Sequence, residues 1–318
     1  MTKVHILNLI DDINYFEKSN VASERLRISY IVKSALSCGY QVTAGPNIPS
    51  SAQIAISGKL TTRLVGESVN HFLNQLQHCS AKIIVDYTDN WLAKPQSQNG
   101  KLYQNLIKLS DVVSIPVQAL FRAVEKPKES IFLIPDGVDN LGPFLPSNHT
   151  NATKQVLWFG HSSNTQSLLD YLDGEFGLNK FILNVVSNQD GLDKIAKYSF
   201  TQNRNFEIRN FVWSINTLCE VGNYCDLTIL PTNKSFASAN RLLTAFNLGL
   251  PVITSASESH KPFSEFYAKS GTNQAKKLFE NPTRWHKKVT FAQGKSSMLY
   301  SDKKIIEGWS GVFQNLNS

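Results

Sequence analysis

At 318 residues the chain has room for two domains of ordinary size, each with its own core. With 42% hydrophobic and 18% charged residues it reads as globular, which excludes a disordered or fibrous protein. The formal net charge is +7, and Lys261–Ser318 alone carries 10 Lys or Arg against 4 Asp or Glu. That basic end suits phosphorylated ligands or an anionic membrane surface, and equally plain solubility. No nucleic-acid-binding module is recognisable, so nucleic acid is not an expected partner.

Val4–Ile10 reads as a first strand that runs into Asp11 and Asp12, without the cleavage site of a signal peptide. No run of about 18 apolar residues is present, so no transmembrane helix is expected. Cys38, Cys79, Cys219 and Cys225 show no C-x-x-C pairing and read as reduced core residues. A cytoplasmic protein is expected, with peripheral contact at the inner face of a membrane as an option. The sequons at Asn148, Asn151 and Asn233 are then chance matches.

The apolar spacing of Leu26, Ile28, Ile31, Val32 and Leu36 predicts a helix over Ala22–Ser37, and Tyr40–Ala44 is a second strand. The first β–α connection lacks the G-x-G-x-x-G fingerprint of dinucleotide-binding domains. It carries Arg25 and Arg27 instead, near the carboxyl end of the first strand, where open α/β sheets bind ligands. Gln53–Ser57 is a third strand and Ser68–His78 an amphipathic helix. Ala81–Val85 is a fourth strand, followed at once by Asp86 and Asp89. Carboxylates in that place are candidate catalytic groups, with helix capping as the plain alternative. The spacing of the pair also suits a metal, but no third ligand is evident.

Lys101–Leu109 is predicted helical, Asp111–Pro116 a strand, Ala119–Val124 a short helix and Ile131–Asp139 a strand with a Pro-Asp-Gly turn. Asn140–Lys154, rich in Pro, Asn, Ser and Thr, reads as a linker. The domains are then 1–140 and 155–297, with a last helix over Leu299–Leu316 in a segment, 298–318, that docks back on the first domain. Its apolar face is Ile305, Trp309, Val312 or Phe313, and Leu316.

The second domain opens with a strand ending at Gly160, where the missing side chain lets a ligand approach. His161, Ser162 and Asn164 follow in a polar loop. Phe181–Ser187 and Phe206–Phe211 are further strands, and Trp213 stands just after the latter, to stack on a ligand or fill core. Leu227–Leu230 is a strand stopped by Pro231. A polar loop with Lys234, Ser235 and Ser238 leads to a helix from Asn240 to Leu248, and Val252–Thr254 is the next strand. Helix N-termini favour anions, and Lys234 and Arg241 add positive charge beside this one. Ser238 and Asn240 can donate hydrogen bonds, so the group suits a diphosphate. A solvated Lys and Arg in an ordinary βαβ unit is the alternative.

The run Gly249-Leu250-Pro251-Val252 after this helix, and Ile134-Pro135-Asp136-Gly137-Val138-Asp139 before the linker, resemble the GT-B glycosyltransferases. Within that class the chain resembles the GT4-like group, glycosyltransferase family 1. The paired glutamates of the common retaining families are missing: Lys234 leads the loop, and Thr244 stands where the second glutamate would be. The resemblance implies an α/β fold of two Rossmann-like domains facing across a cleft, with a C-terminal helix crossing back to the first. It implies transfer of a sugar from a nucleotide-activated donor to a hydroxyl of a saccharide or lipid-linked saccharide, in polysaccharide or glycoconjugate synthesis. Gly160, His161, Ser162, Asn164, Trp213, Lys234, Ser238, Asn240 and Arg241 would hold the donor, and Asp86, Asp89 or Arg25 would face the acceptor. No metal or other cofactor is expected. The alternatives are a nucleotide-sugar epimerase of the same fold and a degenerate partner subunit.

Overall fold

Two six-stranded sheets, each parallel throughout the described residues, organise the chain. The computed structural model describes residues 2–58, 67–139, 141–146, 153–174, 176, 179–200, 205–233 and 236–317. The chain falls into two compact units: Met1–Gly137 with Tyr300–Ser318, and Val138–Leu299.

In chain order the first unit contains β1 (Lys3–Leu7), α1 (Tyr15–Lys18), α2 (Ser29–Ser37), β2 (Gln41–Gly45), β3 (Ile54–Ser57), α3 (Glu67–His78), β4 (Lys82–Asp86), α4 (Gln98–Leu109), β5 (Val112–Ile115) and β6 (Ile131–Leu133). The strand order is β2-β1-β3-β4-β5-β6. The order reverses between β1 and β3, so the ligand-binding crevice of this sheet is expected beyond their carboxyl ends. Strands such as Ile54–Ser57 and Val112–Ile115 are buried at every position, as a parallel sheet covered on both faces requires.

The second unit contains β7 (Lys154–Phe159), α5 (Thr165–Leu172), β8 (Phe181–Ser187), α6 (Gln189–Ala196), β9 (Phe206–Val212), α7 (Ile215–Gly222), β10 (Leu227–Leu230), α8 (Asn240–Asn247), β11 (Val252–Thr254), β12 (Ala268–Lys269), α9 (Asn273–Glu280) and α10 (His286–Leu299). Its order, β9-β8-β7-β10-β11-β12, is the doubly wound Rossmann order, with the switch point between β7 and β10. The edge strand β9 is mostly exposed and carries an ion pair, Arg209 Nε to Glu207 Oε1 at 2.7 Å, which suits an unpaired sheet edge. Inside the sheet the helices pack on Trp158, Phe181, Leu183, Val185 and Ile229.

The chain then returns to the first unit as α11 (Asp302–Asn317). Ile305, Trp309, Val312 and Phe313 are buried in one cluster with Val4, Ile6, Ile31 and Ile54. Small residues let α11 approach α2 closely. Ser34 Oγ donates to the Ile306 carbonyl at 2.9 Å and lies 2.9 Å from Ser310 Oγ. Tyr30 donates to Asp302 at 2.5 Å. A large apolar side chain left in water forfeits about 1.5–3 kcal/mol, so this stripe alone favours the docking.

Three local readings are corrected. The helix expected over Ala22–Ser37 begins as a wide π turn, Glu24–Ile28, before α2. That turn sends Arg27 inward while Arg25 Nη1 donates to the Ser19 carbonyl at 2.6 Å. The strand expected through Asp139 stops at Leu133, because Pro135 offers no N–H and Gly137 leaves the sheet. Gly137 donates to the Leu26 carbonyl at 2.8 Å, and a Cβ there would stand 2.1 Å from the Tyr30 ring. The last helix begins at Asp302, and a separate helix, α10, ends at Leu299.

Candidate functional site

The carboxyl ends of β7 and β10 flank the switch point of the second sheet, and Gly160 and Arg241 meet there. Gly160 follows β7, and its N–H donates to the Val186 carbonyl at 3.1 Å. A Cβ on Gly160 would lie 3.1 Å from Arg241 Nη1 and 3.3 Å from the Trp158 ring. The missing side chain therefore makes room for the guanidinium. Arg241 Nη1 is buried and has no hydrogen-bond partner among the described residues. Burial pushes its pKa down to about 10, so the group stays charged at neutral pH. A buried cation without a counter-charge is costly, and an anionic ligand would remove that cost.

The α8 N-terminus contributes less than its sequence suggests. Asn240 N–H donates to Ser238 Oγ at 3.3 Å, and Arg241 N–H donates to Asn240 Oδ1 at 2.7 Å. Both side-chain oxygens are thus already engaged with first-turn N–H groups. Ser238 keeps its hydroxyl proton and Asn240 its amide protons, so both still carry donors. Lys234 lies outside the described residues.

The loop after Gly160 is fixed by its neighbours. Ser187 Oγ donates to the Gly160 carbonyl at 2.7 Å, and Ser162 N–H to Asn188 Oδ1 at 2.8 Å. Ser162 is buried, so its hydroxyl faces protein, and Asn164 N–H donates to the His161 carbonyl at 2.8 Å. His161 Nδ1 accepts from Ser163 N–H at 3.3 Å, which leaves Nε2 to carry the ring proton. Trp213 sits at the end of β9, its N–H donating to the Ser187 carbonyl at 2.8 Å. Its ring stacks on Phe159 at 6.4 Å between centroids, and its indole Nε1 is buried without a partner among the described residues. Two of the buried polar atoms left without a partner among the described residues, Arg241 Nη1 and Trp213 Nε1, lie at the carboxyl edge of one sheet.

Sequence reasoning missed His260. It is 4% exposed, and the Ser255 carbonyl accepts from its Nδ1 at 3.1 Å. Burial, and then the nearby Arg241 charge, lower its pKa to about 4, against the hydrogen bonds to the Ser255 and Ser238 backbone. The ring is therefore neutral at pH 7 and adds no second cation beside Arg241. Thr232 N–H donates to Ser255 Oγ at 3.1 Å, and Ser259 Oγ donates to the Ala237 carbonyl. These bonds fasten the loop before α8 to the segment after β11. The only signal in the sequence was three serines and a histidine just past a buried strand.

In the first unit the structure separates the two carboxylates. Asp86 is 0% exposed. Arg27 Nη2 lies 2.6 Å from Asp86 Oδ1, Arg27 Nε donates to both carboxylate oxygens at 2.9 and 3.0 Å, and Ser114 Oγ donates at 2.7 Å. Arg27 also donates to the Ile134 carbonyl, lies 3.5 Å from Asp136, and covers the Trp309 ring at 5.2 Å. Asp86 is thus the anchor of a buried charge pair that ties the π turn to β4, β5 and α11. That corrects the expectation of an acceptor-facing Asp86, since its oxygens are already occupied. Asp89 is partly exposed on the turn after β4, beside Tyr87, whose hydroxyl is pushed up to about 12 chiefly by burial. Arg25 is partly exposed and held by Ser19.

No family model and no curated protein matches the chain. Solved structures do. HepE of Anabaena, in complex with UDP-glucose, matches with a TM-score of 0.67 at 12% identity, over 99% of this chain and 100% of that one. An alpha-glucosyltransferase in complex with UDP matches at 0.64 and 8% identity, over 100% and 99%. TarM matches at 0.57 and 15% identity, over 85% of this chain and 55% of that one. At such identities the likeness speaks for architecture, and the architecture is that of the GT-B glycosyltransferases: two Rossmann-like α/β units, with the C-terminal helix returned to the first.

Proposed function

We propose that the protein is a glycosyltransferase that takes a sugar from a nucleoside diphosphate donor and passes it to a hydroxyl acceptor, a saccharide or lipid-linked saccharide. The observation that carries this reading is Arg241 Nη1, buried beside Gly160 at the switch point without a partner among the described residues. Fixed positive groups at that place would offset the charge that develops as the diphosphate leaves. The bond from the anomeric carbon to the diphosphate breaks, and one to the acceptor oxygen forms. The acceptor proton passes to a base, for which Asp89 is the proposed group. Trp213 would meet the nucleotide, and Lys234 and His161 would assist at the phosphates. The two most similar structures above hold UDP or UDP-glucose, so a uridine nucleotide is the first donor to test.

Arg241 and Lys234 are proposed to do without a metal, which predicts activity in EDTA. The proposed setting is polysaccharide or glycoconjugate synthesis in the cytoplasm, with peripheral contact at a membrane. Among the described residues no helix is long and apolar enough to cross one.

Thermal melting with UDP, ADP, GDP and the matching monophosphates tests the reading, since a ligand selective for the folded state raises stability by about 2.7 kcal/mol at a hundred times its Kd. A diphosphate should raise the melting temperature more than its monophosphate. No shift with any nucleotide would overturn the proposal. Turnover of a nucleotide sugar to its epimer without acceptor would favour the epimerase alternative.

A further inference from the structure

Among the described residues the three most exposed large apolar side chains are Leu145 at 84%, Met298 at 69% and Phe291 at 68%. All three lie on or beside α10. The helix buries Val289, Ala292, Gln293 and Ser296. Helical periodicity then puts Lys287, Phe291, Gly294 and Met298 on the opposite side, with Phe291 and Met298 two turns apart, roughly 10 Å along the axis. Leu145 belongs to the uncharged run 141–146, and Gln293 Nε2 of α10 donates to the carbonyl of its neighbour Phe144 at 2.9 Å. Apolar side chains scattered singly on a surface need no explanation, but Phe291 and Met298 share one outward helix face.

The charges carried by α10 itself have one sign. The fourteen residues of α10 include Lys287, Lys288 and Lys295 and no carboxylate. Lys288 Nζ lies 4.1 Å from the Trp285 ring centroid, and Lys295 Nζ lies 5.4 Å from that of Phe266 and 3.7 Å from Glu265. A protein partner would want a contiguous apolar core to pack against. Here Gly294 separates two projecting side chains, and lysines flank them. Two apolar tips bordered by lysines suit an anionic bilayer surface, with the tips at the acyl boundary and the ammonium groups among anionic headgroups.

We propose that the outer face of α10 docks the protein on an anionic lipid bilayer. The inference gives the membrane contact proposed above its surface, and it holds or fails independently of the donor site.

Flotation of the full chain with phosphatidylcholine vesicles, with and without phosphatidylglycerol, tests it. The protein should float only with the anionic vesicles, and less so as salt rises. The F291Q/M298Q double variant and the K287E/K288E double variant should each bind about tenfold more weakly or worse. UDP should stabilise both variants as it does the parent, which reports on the donor site separately. No flotation of the parent, equal flotation on neutral vesicles, or unchanged binding by both variants would overturn the proposal. So would a parent dimer that F291Q/M298Q dissolves, because the face would then join two copies.

Discussion

Replacing Arg241 by Met should move stability and ligand affinity in opposite directions. Met keeps an unbranched apolar stem on α8 but removes the guanidinium, whose Nη1 stands beside Gly160. Arg241 Nη1 is buried without a partner among the described residues. An unsatisfied buried donor costs about 1–3 kcal/mol. Because the residue as a whole is partly exposed, the lower end applies, so about 1 kcal/mol should be recovered. For a unit of this size that is a rise of about 2–4 °C in Tm. With UDP present the sign reverses. Losing a charge-assisted hydrogen bond to a diphosphate costs about 1.5–3 kcal/mol, or roughly 10–150-fold in Kd. The assay is a thermal melt of the free variant beside calorimetric titration with UDP. A variant that melts several degrees lower and binds UDP like the parent would refute the reasoning, because Arg241 would then be a packing residue.

The two first-unit carboxylates should respond differently to Asn. Asp86→Asn leaves Arg27 buried without its counter-charge and should cost about 3–5 kcal/mol of stability by urea denaturation. Asp89→Asn should keep stability and lose turnover by about a hundredfold or more in a steady-state assay. Trp309→Ala empties the largest buried site on α11 and should cost about 3–5 kcal/mol, read as an early transition of the first unit. His260 titrates near 4 when folded and near 6.5 when unfolded. The unfolded chain therefore binds the extra proton first as pH falls, so the stability His260 contributes is complete above pH 6.5 and lost towards pH 4. The loss is on the order of 3 kcal/mol. His5 and His286 are lowered too, so the readout is the difference between the parent and His260→Gln across that window.

The strands were legible because a parallel sheet buried on both faces leaves near-continuous runs such as Ile54–Ser57, Val112–Ile115 and Val252–Thr254. The α11 stripe was legible for a related reason, since all its buried residues are large and apolar. Helix α10 was not. Two of its four buried positions are Gln293 and Ser296, while Phe291 and Met298 point outward, so its apolar residues trace the wrong face. At the proposed donor site, Gly160, Trp213 and Arg241 stand out in the sequence through their places after strands. That Arg241 reaches across to Gly160 is tertiary and has no sequence mark. The same is true of Arg27 and Asp86, which pair across 59 positions. Either charge read alone at a strand end resembles a ligand-binding group.

The division of the first unit between the two ends of the chain has a consequence for biosynthesis. Val138–Leu299 holds every residue of its own unit once Leu299 has been made, so it can fold while the chain is still growing. The first 137 residues, although made earlier, lack the Trp309 ring that covers Arg27 and the side chains that close over Val4, Ile6 and Ile31. The nascent first unit therefore waits, with an apolar flank uncovered, until the last helix arrives. The second half should acquire protease resistance before the first. Chains arrested with a linker behind Leu299 long enough to clear the ribosome, and treated with a protease, should yield a protected fragment beginning near Val138. Equal protection of both halves at that length would show that the first unit closes without its final helix.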